Sequence, residues 1–168
     1  MSVKFTVQMT EKYMYDFMLY HTYTRVSGIL GAVLGVVGLA VGIQALLGGD
    51  TSSALMGFVI AVLFLVVTPR SMKARAKAQV SQTEMFQKPL EYELNETGVI
   101  VRQEEQEAVN EWSQIAKAVS TQKCVILYLT RIRALVLPKE CMGEQYETAL
   151  QMIHTHMPAS KVKIRHIH

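Results

Sequence analysis

The spacing of apolar residues divides the chain into three textures. From Val3 to Met9 the apolar side chains Val3, Phe5, Val7 and Met9 alternate with Lys4, Thr6 and Gln8, the period of a half-buried strand. Next, TEKYMYDFMLYHTYTR places Tyr13, Phe17 and Tyr20 on one helical face, with Met14 and Met18 beside them. The run VSGILGAVLGVVGLAVGIQALL, Val26 to Leu47, carries no charge. As a helix it spans about 33 Å, enough for a hydrocarbon layer of about 30 Å. After GGDTSS a second apolar run extends from Ala54 to Val67. Widened to Ser52 and Thr68, it reaches the lower end of the about 17–25 residues that a spanning helix uses.

From Pro89 the pattern changes to short strands: LEYEL, a turn NETG, VIVRQ, then AVNEW, AKAVST, CVILYLT and RALVLP. Pro138 is expected to end the last of these strands. The stretch from Gly143 to Met157 follows with Tyr146, Leu150, Ile153 and Met157 on one face and Glu144 and Glu147 near its start, where a helix favours acids. The predicted fold is therefore a membrane α-helical hairpin joined to a small, mostly-β (α+β) cytoplasmic domain. Its outline is pleckstrin-homology-like, antiparallel strands closed by a C-terminal helix. The expected divisions are 1–25, a strand and an amphipathic or interfacial helix; 26–68, a two-helix hairpin with spans at 26–47 and 52–68; 69–88, a basic juxtamembrane helix that begins where Pro69 closes the second span; and 89–168, the strand-rich domain. A lone strand is unstable in water. Residues 3–9 are therefore expected to pair with an edge of the C-terminal sheet, which makes the soluble domain discontinuous.

Charge sharpens this picture. Of the 168 residues 18% are charged, almost all outside residues 26–69, and the net charge is only +3. The loop between the apolar runs holds only Asp50, whereas Arg25 lies on one outer flank and Arg70, Lys73, Arg75 and Lys77 on the other. Lysine and arginine concentrate on the cytoplasmic side, so both termini are expected to be cytoplasmic in a multi-pass protein of the cell membrane. The basic cluster lacks interleaved aromatics and is read as a contact with lipid headgroups; no nucleic-acid partner is expected. A cleaved signal peptide is not expected, because the first apolar run is too long and begins too far along the chain.

Small residues form a second pattern. Gly28, Gly31, Gly35, Gly38 and Gly42 recur at alternating steps of three and four, and Ala54, Gly57 and Ala61 repeat that spacing in the second run. Glycine weakens an isolated helix, so such a stripe points to close helix packing in lipid. It serves either an antiparallel pair within the chain or a homodimer. No ionisable residue lies inside either run, so transport by this chain alone is not expected.

No nucleophile–base pair, paired carboxylates or phosphate loop is evident, so no catalytic residue, enzyme activity or cofactor is predicted. Glu104, Glu105 and Glu107 read as a solvated turn. Cys124 and Cys141 lack zinc-ligand spacing, and His154, His156, His166 and His168 are not predicted to hold a metal, since His-x-His on a helix points its rings to different faces.

The segments PLEYELNETGVIV, NEWSQIAKAVST and CVILYLTRIRALVLPKE resemble the C-terminal domain of bacterial YcxB-like proteins. There a strand and turn-glycine lead to a Trp-x-x-Ile segment, here Trp112 and Ile115, then to an aliphatic strand and a Leu-Pro-Lys close. The resemblance spans roughly residues 86–155. It implies a membrane-anchored, pleckstrin-homology-like module of the bacterial inner membrane with no assigned reaction. Trp112 is read as a cap on a small core. The function expected is a binding or scaffolding module on the cytoplasmic membrane face, with the lipid bilayer as its partner. The alternative is an accessory subunit of a larger membrane assembly, a transporter or signalling complex, contacted through the glycine face.

Overall fold

The structure, a computed structural model, describes residues 2–164. The chain forms two compact units, one combining the chain up to Phe17 with the chain from Gln79 onward, the other running from Met18 to Ala78.

In the second unit, α2 (Val26–Leu47) and α3 (Thr51–Val62) form a helical hairpin. Asp50 caps α3, its Oδ1 accepting from the Ser53 amide at 3.1 Å, and Gly49 takes a φ of 81° in the tight connection. A π-helical turn, Leu63–Val67, then leads into α4 (Thr68–Gln82). Val26–Leu47 and Thr51–Gln82 are long and apolar enough to cross a membrane.

Pro69 lies inside a continuous helix, so the juxtamembrane helix expected from residue 69 directly continues the second apolar run. The helix continues through it to Gln82. The π turn gives the reason. The Thr68 amide reaches back five residues to the Leu63 carbonyl, and Thr68 Oγ1 donates to that same oxygen at 2.9 Å. Such a widened turn just before a proline makes room for a ring that would otherwise clash with the preceding turn.

The first unit is strand-built. β1 (Val3–Val7), β2 (Leu90–Leu94), β3 (Gly98–Gln103) and β4 (Gln106–Glu111) form one antiparallel sheet in that order. β1 pairs with β2 as the alternation implies: Val3 opposite Leu94, Phe5 opposite Tyr92, Val7 opposite Leu90, all six buried. β5 (Lys117–Ser120), β6 (Cys124–Tyr128) and β7 (Ala134–Pro138) make a second antiparallel sheet, and β7 ends at Pro138. Its far edge carries β8 (Val162–Lys163), parallel to β5. Two residues that follow a helix and one 3₁₀ turn give no alternation to read, which is why β8 was not foreseen.

The helix expected from Gly143 opens as a 3₁₀ turn, Gly143–Gln145, and continues as α7 (Tyr146–His156), with a short α6 (Lys139–Met142) before it. Gly143, with a φ of 50°, ends α6 and separates it from that turn. α7 buries Ala149, Leu150, Met152 and Ile153 in the core shared with both sheets. The turn NETG is held by Asn95, whose Oδ1 accepts from the amides of Thr97 (2.9 Å) and Gly98 (3.1 Å). Gly98 is obligatory there: a Cβ would sit 2.2 Å from the Asn110 carbonyl oxygen.

Candidate functional site

The small residues of the hairpin face one another within the chain. Gly35, Gly38 and Gly42 of α2 are buried, as are Ala54, Gly57 and Ala61 of α3. A Cβ on Gly57 would lie 2.6 Å from both the Gly38 carbonyl oxygen and the Gly42 nitrogen. Gly31 and Gly28 continue the stripe against Phe64 and the Thr22 backbone respectively. The middle of the stripe is thus buried within the chain itself, while Gly28 and Gly31 are half-buried. Arg70, Lys73, Arg75 and Lys77 are all exposed along α4, and among the described residues none forms an ion pair.

Trp112 is buried, its Nε1 donating to the Asn95 carbonyl at 2.9 Å and its ring stacked on His156 with centroids 5.3 Å apart. With Ile115 fully buried, this pair closes the core beside the NETG turn. Glu104, at the two-residue turn between β3 and β4, holds a φ of 53° and an ion pair with Lys88 at 2.6 Å. Glu107 pairs with Arg102 at 2.5 Å, and the stronger influence of Arg102 on Glu93 holds that carboxyl below its usual range. Among the described residues no group of three His, Cys, Asp or Glu side chains could hold a metal ion. His166 and His168 lie outside the described residues.

Two features had no clear sequence signal. The first is a polar seam that fixes the start of α1 (Glu11–Tyr23) to the strand-built unit. Glu140 accepts from Lys12 Nζ at 2.6 Å and from the Tyr13 hydroxyl at 2.7 Å. Lys12, then Tyr13, holds the Glu140 carboxyl below the usual glutamate value, while the bond to Glu140 pushes the Tyr13 phenol up. Asp16 accepts from Thr121 Oγ1, and the Thr121 carbonyl accepts from Lys139 Nζ at 2.7 Å. Tyr13 and Met14 are buried by this docking. Cys124 lies in the same corner, fully buried, and burial pushes its thiol well above the ordinary value, which marks it as an unreactive structural cysteine.

The second feature is a cavity of about 320 Å³ inside the strand-built unit. Its floor is β2, β3 and β7, including Tyr92, Val101 and Leu135; its walls are Met14 and Phe17 of α1, Gln79 of α4, and Met85 and Phe86 of α5 (Glu84–Gln87). Ile132 and Arg133 of the β6–β7 hairpin stand at it. α5 is too short to hold itself, and side-chain amides pin it: Gln8 Nε2 donates to the Phe86 carbonyl at 2.8 Å and Gln103 Nε2 to the Met85 carbonyl at 2.8 Å. Tyr92 is stacked on Phe5, centroids 5.6 Å apart, and burial pushes its phenol up, so the phenol stays neutral. The Asn110 amide donates to the Val99 carbonyl at 3.2 Å. This is a largely apolar, preformed hollow of the size at the lower end of small-molecule sites, about 300–1,000 Å³.

Residues 94–153 match the family model described as YcxB-like protein, the family that the strand, Trp-x-x-Ile and Leu-Pro-Lys segments resemble. No curated protein and no solved structure matches the chain.

Proposed function

We propose that the chain is a binding module anchored in a bacterial cell membrane by its helical hairpin, with both termini and the strand-built domain on the cytoplasmic side and with no reaction of its own. One observation carries this reading: β1, before the hairpin, pairs in register with β2, after it. Strands on opposite sides of a bilayer cannot pair, so the chain between them crosses an even number of times or none. The exposure of Leu30, Val37, Leu46, Leu55, Val59 and Leu63 on the hairpin supports crossing, since water would not favour so large an apolar surface. The basic residues of α4 and the single acid of the connecting loop support the cytoplasmic assignment. The two sheets with a helix after the last long strand support a pleckstrin-homology-like arrangement, and the preformed cavity supports binding over catalysis.

Cysteine labelling tests the topology. Cys124 is too deeply buried to report, so Thr51→Cys at the exposed start of α3 and Ser113→Cys, an exposed position on the 3₁₀ turn after β4, are compared in a Cys141→Ser background. A membrane-impermeant maleimide should label Thr51→Cys in intact cells and Ser113→Cys only after lysis. The reverse order would overturn the reading.

A further inference from the structure

We infer that the cavity binds an anionic phospholipid drawn from the bilayer that holds the hairpin, one acyl chain inside and the phosphate at Arg133. This rests on the membrane reading above and adds a ligand to it.

Three observations converge on this occupant. The lining is apolar, and Met9, Met14 and Met85 bring flexible, polarizable side chains that adapt to a chain with no fixed shape. The mouth is apolar as well: Ile132 is 81% exposed and Met85 55% exposed, both touching the cavity, which is wasteful in water but suited to an opening that meets lipid. Charge supplies the third. Arg133 is exposed, borders the cavity and has no acidic partner among the described residues, so its guanidinium is available to a phosphate.

Covalent connection gives a source. Phe17 and Gln79, which wall the cavity, are the residues at which the chain leaves the strand-built unit for the hairpin and returns from it. Any bilayer that holds the hairpin is therefore tethered to this cavity by both strands of the connection. A soluble apolar ligand would need none of this, nor an arginine at the rim.

The test uses the full chain reconstituted in phosphatidylcholine vesicles doped with phosphatidylglycerol that carries a photoreactive diazirine in its acyl chain. Illumination should crosslink the probe to cavity residues such as Met14, Met85 or Leu135, located by peptide mass spectrometry. Arg133→Glu should lower cavity crosslinking of phosphatidylglycerol by about fivefold or more, the size of one lost arginine contact with an anionic lipid, and leave a phosphatidylcholine probe unchanged. Ala108→Trp, at an exposed cavity position that tolerates bulk, should lower both probes alike. Crosslinks confined to the hairpin, or cavity crosslinks indifferent to Arg133→Glu and to Ala108→Trp, would overturn the inference. Flotation of the same vesicles separates the two readings: protein that floats and resists carbonate while its cavity stays unlabelled refutes the lipid site alone, whereas protein that fails to float refutes the membrane anchor and the lipid site together.

Discussion

In the hairpin the buried positions are glycine and alanine, Gly35, Gly38, Gly42, Ala54, Gly57 and Ala61, while leucines and valines point outward. In the strand-built unit Leu94, Ile115, Ile126, Leu127 and Leu137 are fully buried, and Lys4, Thr6 and Glu91 point outward. One unit hides its smallest residues and the other its largest. Where water surrounds a fold, burying large apolar groups is the driving force. Where the surroundings are as apolar as leucine, that force vanishes and close backbone contact takes its place. The same chain thus carries two packing rules, which is what the proposed membrane anchor requires.

The contrast can be broken first through β1. Deleting residues 2–9 removes Val3, Phe5 and Val7, each worth roughly 1.5–3 kcal/mol of burial, so the strand-built unit should lose several kcal/mol and the amides of β2 should exchange rapidly. Unchanged protection of β2 would show that the two ends are independent. The hairpin should respond to the opposite change. Gly57→Leu drives a side chain into the α2 backbone, already 2.6 Å from a Cβ there, and should cost about 1–3 kcal/mol, read as a lower melting temperature in detergent. Leu34→Ile, on an exposed position, should cost little; equal effects would remove the face-specific argument.

A smaller effect sharpens the water-facing side. Trp112→Phe keeps most of the ring but loses the bond to the Asn95 carbonyl, for about 1 kcal/mol by denaturant titration, and tests whether the tryptophan is a structural cap. The smallest concerns the seam on α1. Glu140 has a folded-state pKa below its unfolded value, so its contribution is present above the ordinary glutamate range and is lost as pH falls through the depressed value. The amides at the start of α1 should then lose protection only as pH falls below the ordinary glutamate range, and Glu140→Gln should make them insensitive to that change. Persistent acid sensitivity in the variant would move the titration to another group.

Much of this was legible because each unit obeys a simple period. Alternation in VKFTVQM and LEYEL gave both strands, and the orphaned backbone of the first implied a partner at an edge of the C-terminal sheet, which the fold shows to be the second. The three-four spacing of glycine gave a helix contact, although sequence could not choose between a partner within the chain and one outside it. A helix after Pro69 was legible from its spaced basic residues, whereas the π turn before it shows only in the hydrogen bond from the Thr68 amide to the Leu63 carbonyl. The cavity was invisible for a different reason: its walls come from short pieces of many elements, and no periodicity connects Met14, Met85 and Ile132. Glu140 likewise looked like an ordinary exposed acid, and only the fold brings Lys12 and Tyr13 to it.

The pairing of β1 with β2 also sets an order of events during synthesis. β1 leaves the ribosome before the hairpin, yet its partner is made only after the entire hairpin. Until then an alternating segment waits with its backbone unpaired, in the state most prone to wrong association. Contacts so distant in sequence form slowly, because a long loop must close before they reward it. Completion of the sheet is therefore a late event in the biogenesis of this protein, and a nascent chain stalled within the hairpin would carry β1 as an exposed edge for the whole of the pause.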